Sequence, residues 1–281
     1  MKKLITFFAA YVVLTSTAQV SIDTTDKFSD VKNYVDLLLE LNDKSEILIV
    51  LDIDNTILTS QTDLGGDIWY QWQTDALDIK PTADQKIGDQ IFDVVGILYE
   101  LGTMQLTDPV VKNHIDSWQE KGIATFALTS RAPNARGATE RELDKRDIRF
   151  NKTALGKLSG DTIILFKQGK KYVSYINGIM MTTGIDKGVM LDTLMYMTKT
   201  KESFKHIIFV DDTRKNVINV KNRFEDKHSI HVKIFYYTKI ESDREKKYGA
   251  ILTQEQADKM AREWEALRGV VNWIFPERLK K

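Results

Sequence analysis

The chain has no cysteine, which excludes thiol catalysis, thiolate zinc sites and disulfides. It is poor in histidine. His114, His206, His228 and His231 are dispersed apart from the last pair, and no zinc site is expected among them. Net charge is also missing, because 40 bases and 40 acids are interspersed along the sequence. That balance excludes the basic footprint of a nucleic-acid binder, and no charge block resembles an interaction tail. No internal repeat, low-complexity segment or linker rich in Pro and Gly divides the chain. With 281 residues and 42% hydrophobic content, it can bury a full core, as one domain with an insertion or as two small ones.

No apolar run is long enough for a comfortable membrane span. The first one, Leu4 to Leu14, follows Met1-Lys2-Lys3 and precedes small residues at Ser16 and Ala18. Basic start, short apolar stretch and small residues form a secretory signal peptide over residues 1–18, cleaved after Ala18. The alternative is an uncleaved amphipathic or anchor helix. Cleavage removes Lys2 and Lys3 and leaves 38 bases against 40 acids. No Cys follows the segment, so a lipoprotein anchor is excluded. The mature chain is expected to be periplasmic or secreted, with no stable membrane anchor.

What is present begins with Leu51-Asp52-Ile53-Asp54-Asn55-Thr56, directly after the apolar run Ile47-Leu48-Ile49-Val50. The run reads as a buried strand. Asp52 and Asp54 then point roughly the same way, because strand side chains alternate. Carboxylates this close repel each other, and a divalent cation relieves that penalty. Three later segments add to the pair. Gly122 to Arg131 is an apolar run ending in Thr129-Ser130-Arg131. Gly184-Ile185-Asp186-Lys187-Gly188 leads into a stretch of helical spacing. Ile207-Ile208-Phe209-Val210 ends in Asp211-Asp212. In an open parallel sheet such strand ends converge on one crevice. The set holds acids for a metal and a nucleophile, with hydroxyls and cations for an anion, which suits phosphoryl transfer. Taken singly, each has a plainer reading. Asp211 and Asp212 end a strand and cap a helix near Arg214, Lys187 is a solvated lysine, and Thr129 is a cap.

The four motifs together, LDIDNT, LTSR, the Lys of GIDKG and FVDD, occur in an order that resembles the haloacid dehalogenase superfamily of phosphohydrolases. The resemblance spans about Glu46 to Tyr237, apart from an insertion after the first motif. It implies an α/β fold, a doubly wound and mostly parallel sheet with a small helical cap. It implies that Asp52 is the nucleophile and Asp54 the general acid/base, the latter favouring phosphatase over dehalogenase chemistry. Thr129 and Ser130 would bind the phosphoryl oxygens, with Lys187 neutralising nucleophile and phosphate. Mg²⁺ would be held by Asp52, the backbone carbonyl of Asp54, Asp212, and Asp211 directly or through water. Arg131 either contacts the substrate or pairs with an acid near Glu140. The implied partner is a small-molecule phosphomonoester. An aromatic-rich insertion on an exported core is similar to secreted acid phosphatases, but Asn55 stands where those commonly carry Glu.

The predicted organisation is a signal peptide (1–18), an N-terminal helical segment (19–45), a core (46–59 and 107–281) and a helical cap (60–106). Val31, Tyr34, Val35, Leu38 and Leu41 have helical spacing, as does Asp84 to Glu100 in the insertion. Asp108-Pro109 is read as the start of the next helix. Trp69, Tyr70 and Trp72 either stack on a substrate or form the cap's own core. A helix is expected from Ala135 to Lys145. Asn177-Gly178 between apolar runs signals a two-residue β-hairpin, read as an addition to the core. Thr253 to Ile274 reads as a long helix with Trp264, Leu267 and Trp273 on its apolar positions. Two other functions compete: an exported binding protein of the same fold with little catalysis, and a receiver-like regulatory domain. A receiver places its acid pair on the first strand and its phospho-acceptor later, which is not the order here.

Overall fold

Every residue from Ile47 to Leu51 is buried, as a strand covered on both faces must be. The computed structural model describes residues 20–156, 163–227, 229–276 and 278. The signal segment, residues 1–18, and His228 lie outside the described residues. In chain order the elements begin with β1 (Val20–Thr25), α1 (Phe28–Leu41), β2 (Ile47–Leu51) and β3 (Leu58–Ser60). Next come α2 (Asp67–Gln73), α3 (Ile91–Leu101), β4 (Met104–Leu106), α4 (Val111–Glu120), β5 (Ala124–Thr129) and α5 (Arg136–Asp144). Then follow β6 (Ile164–Gln168), β7 (Lys171–Ile176), β8 (Ile179–Met181), α6 (Lys187–Met197) and β9 (His206–Asp211). The last are α7 (Arg214–Phe224), β10 (His231–Tyr237), α8 (Lys239–Tyr248) and α9 (Gln254–Ile274).

The protein is an α/β structure with one large, mostly parallel sheet of order β1-β10-β9-β2-β5-β8-β7-β6. The strands from β1 to β8 in that order pair in parallel, and β7 and β6 join antiparallel. Alternation along β2 sorts the two faces. Ile47, Ile49 and Leu51 pack with Val31 and Val35 of α1 and Ile115 and Trp118 of α4. Leu48 and Val50 pack with Met190 and Leu194 of α6 and Val217 and Val220 of α7. Helices therefore cover both faces. Because β5 lies on one side of β2 and β9 on the other, the chain changes winding direction at β2. A crevice outside the carboxyl ends of the strands is expected at that point.

Several elements differ from the sequence reading. Residues 19–45 were expected to be helical, yet β1 occupies their start and forms an edge strand beside β10. The hairpin is real: Asn177 and Gly178 both take positive φ (52° and 74°). It is not an addition to the core, because β8 pairs in parallel with β5 and extends the main sheet beside Thr129. The helix expected from Asp84 starts at Ile91, after a left-handed Gly88 and a short 3₁₀ turn. Asp108 and Pro109 form a turn ahead of α4, which starts at Val111. Leu41 ends α1 and is exposed.

The insertion is bracketed by the antiparallel ribbon β3–β4. Ile68, Trp69, Trp72, Val94 and Leu98 form its cluster together with Ala257, Met260 and Trp264 of α9. The C-terminal helix, assigned to the core by its place in the chain, thus packs on the insertion. Its N-terminus carries a capping box, Thr253 with Gln256. Trp273 does not join this cluster and is 83% exposed. It lies nine residues after Trp264, which at 3.6 residues per turn puts it about 180° around the helix. Among the described residues, no helix is long and apolar enough to cross a membrane.

Candidate active site

Asp52 follows β2 directly, and its N–H donates to the Val210 carbonyl of β9 (2.9 Å). The chain then turns tightly, with the Ile53 carbonyl accepting N–H bonds from Thr56, Ile57 and Leu58. Asn55 takes φ 53° in this turn, a conformation that Asn tolerates better than longer side chains. Its amide donates to Asp67 Oδ2 (3.2 Å), and its carbonyl oxygen accepts from Thr59 Oγ1 (2.9 Å).

Lys187 opens α6, whose N-cap is Asp186, with its carboxylate accepting from the Val189 N–H (2.9 Å). Gly188 lets α6 approach α7 closely, since a Cβ there would lie 2.5 Å from the Asn219 carbonyl oxygen. The Lys187 side chain is fully buried, with Nζ 2.6 Å from Asp52 Oδ1 and 2.7 Å from Asp211 Oδ2. Burial works against its charge, but Asp211 and Asp52 outweigh that and hold the ammonium above its usual pKa. The plain reading of a solvated lysine is therefore wrong.

Asp211 ends β9 with a dense set of donors. Its Oδ1 accepts from Thr213 N–H (2.8 Å) and Asn216 Nδ2 (3.0 Å), while Oδ2 accepts from Lys187. Asp212 is half-buried, and among the described residues its Oδ1 accepts only from Thr213 Oγ1 (3.2 Å). Asp52, Asp211 and Asp212 each bring a carboxylate oxygen within 4.8 Å of the others. The Asp54 carboxylate is turned elsewhere, so the two acids of the first motif do not face the same partners.

Arg131 accounts for that. Its Nε and Nη2 donate to Asp54 Oδ2 (2.9 Å) and Oδ1 (2.7 Å), and Nη1 donates to Thr139 Oγ1 (2.9 Å). Neither sequence alternative for Arg131 describes this arrangement. Of the acids near Glu140 that were one of its two alternatives, Glu140 itself pairs with Arg136 (2.9 Å). Thr129 is fully buried beside this group, and its hydroxyl accepts from the Arg131 N–H (3.1 Å). Ser130 is exposed, with its carbonyl accepting from Gly184 N–H (2.9 Å).

The sequence reading missed Asp67 and Tyr99. Asp67 opens α2 in the insertion and lines a cleft with Asp54, Leu64, Leu98, Tyr99 and Met104. Besides Asn55, it accepts from Gln71. The Gly65-Gly66-Asp67 sequence is the one available sign of it, as a turn opening a helix with an acid in the first turn. Trp69 and Trp72 are buried against α9 and cannot stack on a ligand, and Tyr70 is not part of the cleft. His206 and His231 stack at 5.3 Å at the opposite ends of β9 and β10 from the acids.

The site is crowded with negative charge. Burial, with Asp211 and Asp54 nearby, pushes the Asp52 carboxyl to about 8 in spite of Lys187. Burial and Asp54 push Asp67 to about 6. Burial, with Asp67, Asp52 and Asp211 around it, also raises Asp212 well above the usual range. A carboxyl whose folded pKa is raised destabilises the fold wherever the unfolded chain has ionised it and the folded protein must keep it protonated or charge it at a cost. The penalty is absent below about 3.8, builds from there up to about 6 for Asp67 and about 8 for Asp52, and is constant above. A bound cation favours the ionised acids and removes it. Without divalent metal, the melting temperature is therefore expected to fall between pH 5 and 8.5, and the Mg²⁺-induced rise to grow over the same range. Thermal melts with chelator and with Mg²⁺ check this. A Mg²⁺ effect independent of pH would mean that these carboxylates do not face the ion.

The fold and site define an α/β protein with a carboxylate cluster at the winding switch of a parallel sheet. Residues 24–276 match the family described as "Protein of unknown function (DUF2608)", and the chain belongs to that family. It is also similar to a Chlamydia pneumoniae protein named "Putative outer membrane protein", with 23% identity over 180 residues. That alignment covers 64% of this chain and 65% of the relative.

Proposed function

We propose that this protein is an exported, Mg²⁺-dependent phosphomonoester hydrolase of the haloacid dehalogenase type, with the insertion as its cap. The observation that carries this reading is the buried Lys187 ammonium bridging Asp52 and Asp211, beside an Asp212 with few protein partners. A lysine there lets a phosphate dianion approach carboxylates that would otherwise repel it. The donor set suits Mg²⁺ because it is oxygen only, with Asp52, Asp211 and Asp212 each bringing one carboxylate oxygen to the same place. Asp52, Asp212, the Asp54 backbone carbonyl and, secondarily, Asp211 would hold it. When bound, Mg²⁺ supplies positive charge against the phosphoryl oxygens.

The chain's own groups then divide the work. An Asp52 oxygen attacks phosphorus and the ester P–O bond breaks, while the departing oxygen takes a proton from Asp54. Water next gives its proton to Asp54 and attacks the aspartyl-phosphate, which releases phosphate and restores Asp52. The Thr129 hydroxyl, whose O–H has no acceptor among the described residues, and Ser130 are assigned to the phosphoryl oxygens. Export rests on the basic and apolar start of the sequence and agrees with the name of the C. pneumoniae relative. The second reading, an exported binding protein with little catalysis, draws on Asp54 being already paired with Arg131.

The test is hydrolysis of nucleotides, sugar phosphates and phospho-amino acids by residues 19–281 with and without chelator. Chelation is expected to remove activity and Mg²⁺ to restore it. Asp212→Asn is expected to raise the Mg²⁺ requirement by about tenfold or more while the fold persists. Activity untouched by chelator in a metal-stripped sample would show the acids to be wrongly assigned. No hydrolysis in the whole panel would favour the binding protein.

A further inference from the structure

Arg131 and Tyr99 have no place in the scheme above. The Arg131 guanidinium lies 4.0 Å over the Tyr99 ring, and Nη2 also approaches Met104 Sδ (3.2 Å). Together with the two bonds to Asp54 and the one to Thr139, these contacts engage nearly all its N–H groups. Thr139 is itself fixed, donating to the Ala135 carbonyl (2.8 Å). The Arg131 side chain is 2% exposed and that of Asp54 is 22% exposed, so a ligand in the cleft meets the acid before the cation. Arg131 also lines the cleft, but its N–H groups are already engaged, so an anion would have to compete with Asp54 for them.

We propose that Arg131 is a positioning residue for Asp54 and not a ligand of the substrate, with Tyr99 of the insertion holding it in place. The inference rests on the phosphatase reading. A planar guanidinium bound to both carboxylate oxygens fixes the plane of that carboxylate, and hence where its proton is delivered. The Tyr99 face prevents the guanidinium from tilting, and a cation over an aromatic ring is attractive in its own right. The insertion thereby touches the proton-transfer group through one stacked pair.

The prediction is a split between leaving groups and between kinetic constants. In single-turnover reactions of the mature chain with Mg²⁺, Arg131→Lys keeps the charge but loses the fork. It is expected to slow phosphorylation by an alkyl phosphate by roughly tenfold to a hundredfold, within the range that general acid catalysis supplies. p-Nitrophenyl phosphate, whose leaving group needs no proton, should be nearly spared, and KM for both should stay within about twofold. Tyr99→Leu should show the same pattern more weakly, and Tyr99→Phe should resemble wild type because the ring face is kept. Tyr99→Leu also serves if Arg131→Lys does not fold, as judged by its melting curve. Orthovanadate inhibition gives the independent readout, and its affinity should be unchanged in both variants. A tenfold loss of vanadate affinity, or a raised KM with kcat intact, would make Arg131 a substrate ligand and overturn the proposal. Equal losses for both leaving groups would also overturn it. A wild-type chain that neither hydrolyses a phosphomonoester nor binds vanadate would instead remove the phosphatase reading, and this proposal with it.

Discussion

Asp52→Asn is expected to leave a folded protein whose turnover has dropped by on the order of 10⁴ or more, the scale seen when a nucleophile is removed. An amide cannot attack phosphorus, and the neighbouring acids are held differently. Asp211 accepts from Thr213, Asn216 and Lys187, Asp54 is held by Arg131, and Asp212 is half-buried. The fold should persist because the side chains match in size and the backbone bond to Val210 is untouched. Burial, with Asp211 and Asp54 nearby, raises the Asp52 carboxyl in the folded state, so above its unfolded pKa the acid costs stability that a neutral amide does not. The metal-free melting temperature should therefore rise, more so at higher pH, while the Mg²⁺-induced rise shrinks. Full activity would remove the covalent mechanism.

Lys187→Met is the substitution expected to harm the fold most. It takes away the cation between Asp52 and Asp211 and leaves both acids buried and facing each other. Breaking a buried ion pair from one side typically destabilises by about 3–5 kcal/mol. The loss should be largest at and above about pH 8, where Lys187 favours the ionised Asp52, and smaller near pH 5, where Asp52 is protonated with or without the lysine. Urea titrations at the two pH values measure it. Destabilisation under about 1 kcal/mol at pH 8, the size of an exposed pair, would contradict the role given to Lys187.

The parallel centre of the sheet was legible because β2, β5 and β9 are continuous apolar runs, and their ends carry the acids and hydroxyls. Lys187 and the Asp211-Asp212 pair were legible through motif order. What escaped depends on contacts distant in sequence. β1 carries little strand pattern in Val20–Thr25 and is defined by its partner β10. The pairing of β8 with β5 follows from where the Asn177-Gly178 turn lands: its glycine carbonyl accepts from Ala127 N–H (2.9 Å). Arg131 found an acid 77 residues away in sequence and not one in the helix that follows it. Asp67 and Tyr99 are barely marked in the sequence, since an acid in a first helical turn after Gly65-Gly66 and an aromatic on an apolar face are ordinary residues.

The most direct measurement is to stop a reaction of the mature protein, Mg²⁺ and a phosphomonoester in acid, then locate the phosphoryl group. Borohydride reduction followed by peptide mass spectrometry reads the modified position. A covalent phosphoryl group on Asp52, absent in Asp52→Asn and without chelated metal restored, is the predicted result. Steady hydrolysis with no label, or a label on any other residue, would contradict the assignment of Asp52 as the nucleophile.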